Sequence, residues 1–386
     1  MILFFLTFFT LYGGVHAYAF FRTRSAFGFG PGAGISLALW MGAMVVMPFL
    51  IRAFERHEFE FAARTAAYIG YLWMAVLFLF FCGSLAFDLF NLAGRVAGWA
   101  MRRDFSLPLI SPKLSWLISI CLALVISVYG YIEAGNIRTE RLRIETAKLP
   151  AGIERLTIVQ ISDVHLGLIV RCKRMEKILA IVRAEKPDIF ISTGDLVDAQ
   201  INHLSGLAEL LRGVNARYGK FAITGNHEYY AGLDKALAFT RECGFTLLRG
   251  SAVSSGIINI AGIDDPTVVQ LKVEKPVSEK SLLASLPKDK FTLFLKHRPV
   301  FSKEAAGLFD LQLSGHTHKG QIWPFTYLSA LTYPLNAGRF DRADGSILYV
   351  SRGTGTWGPP IRFLSPPEVT VLELVRKKKE PAHGKV

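Results

Sequence analysis

Five of the nine histidines in this 386-residue chain fall in short motifs between Asp163 and His318. The motifs read D-V-H (Asp163, His165), G-D-L-V-D (Asp195, Asp198), G-N-H-E (Asn226, His227, Glu228), K-H-R-P (His297, Arg298) and G-H-T-H (His316, His318). Carboxylate and amide oxygens mixed with imidazole nitrogens suit Mn, Fe or Zn, and no thiolate is offered. Two such cations roughly 3.5–4 Å apart can share a carboxylate and a hydroxide, which makes a nucleophile at neutral pH and clamps a phosphoryl group. One Asp-x-His alone is weak, since any surface turn can carry it. Five motifs in order point to a two-metal hydrolase.

Short apolar runs precede each motif and read as β-strands: Leu156–Ile161, Ile189–Ser192, Phe221–Thr224, Phe291–Leu295 and Leu311–Leu313. Every candidate ligand then lies on a loop at a strand's end, where a rigid sheet can aim it. Between these strands come helical stretches such as Lys173–Glu185, His203–Asn215 and Gly232–Cys243. The later part is richer in strands, among them Ile257–Gly262, Ser346–Ser351 and Val369–Leu374.

The motif set resembles the calcineurin-like metallophosphoesterase superfamily, whose pattern is D-x-H, G-D-x-x-D, G-N-H-[DE], a lone His and G-H-x-H. The stretch Ser351–Leu374 looks like that superfamily's bacterial membrane-associated subgroup. The resemblance implies an α/β domain over residues 141–376, two packed β-sheets flanked by helices. It implies that Asp163, His165, Asp195 and His318 hold one metal ion, and that Asp195 bridges to a second held also by Asn226, His297 and His316. His227 would protonate the leaving oxygen, with Asp198 and Glu228 orienting the residues around it. The expected cofactors are two divalent ions, Mn first, with Fe or Zn as alternatives. The chain departs from the pattern at Arg298, where a small polar residue is expected, and Arg298 is read as a substrate contact. Arg339, Arg352 and Arg362 could also meet phosphate, although each alone reads as a surface arginine.

The first third of the chain is a different object. Met1–Phe21, Ser25–Ile51, Thr65–Phe87 and Leu114–Ile132 contain no charged side chain, and about 20 apolar residues cross a bilayer. Residues 1–134 therefore read as an all-α transmembrane bundle of about four helices, the first uncleaved because it lacks a positive n-region. The Gly-Phe-Gly-Pro-Gly-Ala-Gly run suggests that the second helix starts near Ile35. Asp88 and Glu133 abut spans and are placed at the interface. Lys and Arg divide seven against six between the two sides, so the positive-inside rule does not choose an orientation. The working expectation is a bacterial inner membrane with the catalytic domain on the cytoplasmic face. Cys82 and Cys121 fall in spans, and no disulfide framework is evident.

Only a handful of residues separate the last span from the first strand around Leu142, so the domain is held at the bilayer. Residues 141–386 carry 34 Lys and Arg against 24 Asp and Glu, a balance that favours anionic headgroups. Residues 377–386 form a basic tail. No basic helix or aromatic-basic repeat suggests nucleic acid, and none is expected as a partner. The reading is a membrane-anchored phosphoesterase acting on a lipid-linked phosphodiester or pyrophosphate such as UDP-2,3-diacylglucosamine, through a metal-bridging hydroxide. The alternative is a non-catalytic membrane scaffold that keeps the fold.

Overall fold

The computed structural model describes residues 2–100, 109–198, 204, 206–254 and 256–377. They form two compact units. The first is helical: α1 (Ile2–Phe27), α2 (Pro31–Arg56), α3 (Glu60–Ala100) and α4 (Pro112–Glu133). Among the described residues, α2, α3 and α4 are each long and apolar enough to cross a membrane, and α1 has 26 residues with no charged side chain before Arg22. Side chains such as Leu39, Val125 and Ile132 are exposed on these helices, as lipid-facing positions require. Helix α2 starts at Pro31 rather than near Ile35. Proline at the first helical position lacks only an N–H that has no helical partner anyway, and its fixed φ suits the first turn, so the glycines around it do not delay the helix.

Where α1, α3 and α4 meet, Arg22 and Asp88 anchor a polar cluster. Arg22 lies 2.9 Å from Asp88 and donates to Ser115 Oγ at 2.6 Å, while Tyr18 donates to Asp88 at 2.6 Å. The carboxylate expected at a span's end is thus matched by a cation. Residues Gly358–Phe363 belong to the helical unit. There the Arg362 N–H donates to the Gly130 carbonyl at 2.9 Å, and the Arg362 side chain is fully buried. Arg362 is therefore not a surface residue.

The second unit is an α/β domain. Its elements run β1 (Arg138–Thr146), β2 (Arg155–Ile161), α5 (Cys172–Ala184), β3 (Ile189–Ser192), α6 (Leu207–Arg212), β4 (Lys220–Ala222), α7 (Asn226–Ala231), α8 (Leu233–Glu242), β5 (Thr246–Leu247), β6 (Ser251–Ser254) and β7 (Ile258–Gly262). Then come α9 (Thr267–Gln270), α10 (Glu279–Ala284), β8 (Phe291–Leu295), β9 (Leu311–Ser314), α11 (Phe325–Thr332), β10 (Gly338–Asp341), β11 (Ile347–Val350) and β12 (Glu368–Arg376). Two six-stranded sheets form, in the orders β1-β12-β2-β3-β4-β5 and β10-β11-β9-β8-β7-β6. Strands β2, β3 and β4 pair in parallel, as do β7, β8 and β9.

Alternate residues of both sheets face each other across a shared apolar layer. Ile158, Ile189, Ile191 and Leu372 of the first sheet meet Ile260, Leu293, Leu295 and Leu313 of the second. The opposite face of the first sheet buries Val159, Phe190 and Val371 against Met175, Ile178 and Leu211 of α5 and α6. Strands buried on both faces read as continuous apolar runs, as β3 and β8 do. This is the expected two-sheet sandwich between helices. Ile158→Ala would leave a hole in the fully buried central layer and should cost about 2–5 kcal/mol, read as a lowered melting temperature of the full chain in detergent.

Of the expected elements, α6 is shorter than His203–Asn215, and His203 lies outside the described residues. Most of the basic tail does as well, beginning at residue 378. The first strand starts at Arg138, which leaves four residues, 134–137, after α4.

Candidate active site

In a parallel sheet every strand delivers its following loop to the same edge, and ligand sites form there. Asp163 and His165 follow β2, Asp195 follows β3, and Asn226 and His227 open α7 just after β4. From the second sheet, His297 follows β8 and His316 and His318 follow β9. The two edges are joined by Gln160, whose Nε2 donates to Thr193 Oγ1 at 2.8 Å and to the Ser314 carbonyl at 3.3 Å. The Thr193 carbonyl in turn pairs with His297 Nδ1 at 2.8 Å, which fixes that ring. Six of the seven expected ligands come together with His227; the seventh, Asn226, precedes His227 on the same loop, and apart from the half-buried His316 all of them are buried.

Three groups of potential ligand atoms result, each with its atoms within 4.8 Å of one another: Asp163, His165 and His318; His165, Asp195 and His227; and Asp195, His297 and His316. Asp195 joins the second and third groups. Its Oδ2 lies 3.8 Å from His165 Nε2 and 3.3 Å from His297 Nε2. Imidazole nitrogens also face each other, His165 to His318 at 3.0 Å and His297 to His316 at 3.2 Å.

The backbone is strained where these groups are aimed. Asp163, His165, Asp195, His316 and His318 all have φ between 48° and 72°, a region that costs non-glycine residues roughly 1–3 kcal/mol each. Backbone pairing holds them there: Asp163 N–H donates to the Gly194 carbonyl and His165 N–H to that of Asp195, both at 3.0 Å. Glu228 gathers the loops further by accepting the N–H groups of Asp195, Leu196 and Gly225 at 2.6–3.0 Å.

Electrostatics follow from this crowding. Burial alone would lift the Asp195 carboxyl, but the imidazoles of His297 and His227 hold it well below its ordinary value. Burial and the neighbouring His227 lower His165 to about 4, and burial with His297 lowers His316 to about 3. Both rings are therefore neutral near pH 7, the form that coordinates metal. For His227, burial opposes the charged form, yet Asp195 and the hydrogen bond to Asp198 raise it to about 9; two cations nearby would pull it back down.

The site fits divalent cations on its own geometry. Asn226 Oδ1 is buried without a hydrogen-bond partner, a costly state that a metal ion would relieve. The facing imidazole pairs likewise suit nitrogens converging on a cation. Mixed oxygen and nitrogen donors that share one carboxylate are consistent with a two-metal site.

Around the ligands stand groups that pattern reading had only partly located. His227 Nδ1 pairs with Asp198 Oδ1 at 3.0 Å. Arg298 is clamped by buried Asp265, with Nε and Nη2 bonds of 2.8 and 2.9 Å to its two carboxylate oxygens. Tyr333 lies 3.1 Å from His316 Nε2. Trp357 and Tyr230 set their rings against His227, at 6.1 and 5.4 Å between centroids. Asp265, Tyr333, Trp357 and Tyr230 were not picked out from the sequence. The first had a usable signal, because Ile263-Asp264-Asp265 follows a buried strand as the ligand motifs do. Arg339 pairs with Asp341, and Arg352 with Glu140 and Glu368, so neither reaches the ligand cluster.

Known proteins agree with this construction. Residues 156–320 match the model of the calcineurin-like phosphoesterases, a span that contains all five motifs. An uncharacterised metallophosphoesterase of Aquifex aeolicus is 40% identical over 258 residues, 66% of this chain and 98% of that protein. One from Campylobacter jejuni is 30% identical over 82% of this chain and 85% of its own. A zebrafish (Danio rerio) protein described as a transmembrane protein with metallophosphoesterase domain is 28% identical over 88% of this chain and 78% of its own. With its apolar helices and bacterial relatives, the chain is an integral membrane protein, and its buried two-metal site is that of a hydrolase. It belongs to the calcineurin-like phosphoesterase family.

Proposed function

We propose that this protein is a membrane-anchored phosphoesterase that hydrolyses a lipid-linked phosphodiester or pyrophosphate. The observation that carries the reaction class is Asp195, buried and shared between ligand groups drawn from both sheets. Asp163, His165, Asp195 and His318 would hold one ion, and Asp195, Asn226, His297 and His316 the other. When bound, such ions supply a hydroxide nucleophile at neutral pH and neutralise charge on the phosphoryl oxygens. We take manganese as the first ion to test, with Fe or Zn as alternatives, since mixed carboxylate and imidazole donors admit all three.

The chain's own residues handle the proton. The Asp198 carboxylate engages His227 Nδ1, sets the ring's tautomer and leaves Nε2 as the nitrogen available for proton transfer. Trp357 and Tyr230 shield the ring, and a cationic imidazole there can protonate the leaving oxygen. Asp265 holds two donor groups of Arg298, so a phosphate contact by Arg298 would use its remaining Nη1, which lies 3.5 Å from Tyr333 Oη. The lipid-linked substrate is supported by the four-residue tether and the basic balance of the domain. We place the domain on the cytoplasmic face of a bacterial inner membrane.

Detergent-purified protein with Mn²⁺ should cleave bis-p-nitrophenyl phosphate, and UDP-2,3-diacylglucosamine is the first lipid nucleotide to assay. His227→Ala should lower kcat about 10²–10⁴-fold, the usual contribution of a general acid, while bound metal stays unchanged. An unaffected rate would remove His227 from proton transfer. No hydrolysis of any phosphoester with both metals bound would favour the scaffold reading.

A further inference from the structure

A run of 19 residues, 320–338, has no charged side chain although it lies in the α/β domain. Its centre is α11, eight residues of which none is buried. Tyr327, Leu328 and Leu331 are 65%, 55% and 81% exposed. A helix that packs on a core keeps one apolar stripe covered, and this one leaves its large apolar side chains in the open. Nor is it loosely attached. Thr326 Oγ1 donates to the Lys319 carbonyl at 2.9 Å, and Thr317 Oγ1 to the Asn336 carbonyl at 2.6 Å. The helix is therefore presented, by its ends, from the loop that carries His316 and His318.

The segment leading into α11 is tied to the active-site mouth. Gln321 exchanges two hydrogen bonds with the backbone of Trp357, at 2.8 and 2.9 Å. This brings the Trp357 segment beside Trp323, and both indoles are exposed. Trp357 and Tyr230 are the residues that flank His227. Exposed apolar side chains clustered in this way mark an interaction site.

We propose that α11, with Trp323, is an interfacial helix that seats in the lipid surface of the membrane beside the active-site mouth. The occupant is the bilayer because the same chain supplies the apolar spans, and the four residues 134–137 reach only about 15 Å when extended. A short, uncharged helix edged by Trp and Tyr suits the headgroup region, where amphipathic aromatic rings settle. The net positive charge of the domain adds attraction to anionic lipid. The consequence is that the site opens at the depth of lipid headgroups, so a phosphoester carried by a membrane lipid meets it without leaving the bilayer. The docking itself does not depend on which substrate is cleaved.

The test uses the full chain in nanodiscs of phosphatidylcholine and phosphatidylglycerol, made with brominated or unbrominated acyl chains. The emission removed by Trp323→Phe reports Trp323 alone. It should be quenched at least threefold by brominated lipid and be shielded from aqueous iodide. Leu331→Trp, placed at the most exposed position of α11, should gain emission with the same behaviour. Both side chains lie outside the core, so neither change threatens folding. Emission that iodide quenches freely and bromolipid leaves untouched, at both positions, would overturn the proposal and leave α11 for a protein partner. Because the readout needs no turnover, a failed hydrolysis assay would not be confused with failed docking.

Discussion

Asp195→Ala is expected to abolish hydrolysis of every phosphoester and to strip bound metal from the purified protein. Its carboxylate is shared between two of the ligand clusters, and its Oδ1 also accepts the His227 N–H at 2.8 Å. Charge stabilisation by a metal pair contributes several kcal/mol to a transition state, so at about 1.4 kcal/mol per tenfold the rate should fall by at least about a thousandfold. Metal content measured by mass spectrometry should fall with it. Asp195→Asn is the sharper control, since asparagine tolerates the left-handed φ of 50° at this position and removes the charge without disturbing the loop. Asn226→Ala should act in the same direction, because the buried Asn226 Oδ1 has no hydrogen-bond partner and is free to serve as a ligand. Turnover that survives both alanine substitutions would defeat the two-metal reading.

Gly225→Ala should be nearly as damaging, although Gly225 supplies no ligand. A methyl group there would overlap the Asp195 carboxylate and come within 2.6 Å of the Asp195 amide nitrogen. These are backbone and ligand atoms, which cannot swing aside as the tip of a flexible side chain would. The φ of Gly225 is −100°, so the obstacle is space and not conformation. Overpacking of this sort costs roughly 1–3 kcal/mol of stability. A displacement near 1 Å at a catalytic group can cost about 10²-fold in rate, and that is the loss expected here, with reduced metal affinity. Gly213→Ala is the matched control: its φ is −67° and the nearest atom to an added methyl is at an ordinary 3.4 Å. Equal activity in the two variants would mean that the loop yields, and that Asp195 is held less tightly than its contacts imply.

Much of this protein could be read along the chain because its chemistry is carried by local words. A ligand motif at the end of an apolar strand names both the donor atoms and the element that aims them, and this holds from Asp163 through His318. The membrane helices were legible for a related reason: a bilayer's thickness is a length, and uncharged runs can be counted against it. Even there, α3 continues to Ala100, well past its apolar run, because helix continuation depends on more than hydropathy.

What tertiary structure decided is how distant words meet. Nothing local places the loop after β3 against that after β8, yet Asp195 and His297 stand 3.3 Å apart. The left-handed backbone at five site residues, held by hydrogen bonds between loops, is likewise a property of the packed sheets and not of the motif letters. Arg298 shows the difference most plainly. By sequence it is a cation beside a ligand; the fold adds that its guanidinium is gripped by Asp265, 33 positions earlier. The exposed face of α11 was equally out of reach, because an apolar run names what a segment avoids and only the packed domain shows that, among the described residues, it stays exposed. Donor chemistry, strand ends and spans are set by neighbours in sequence; sharing of ligands, strain and exposure arise only when separate strands are brought side by side.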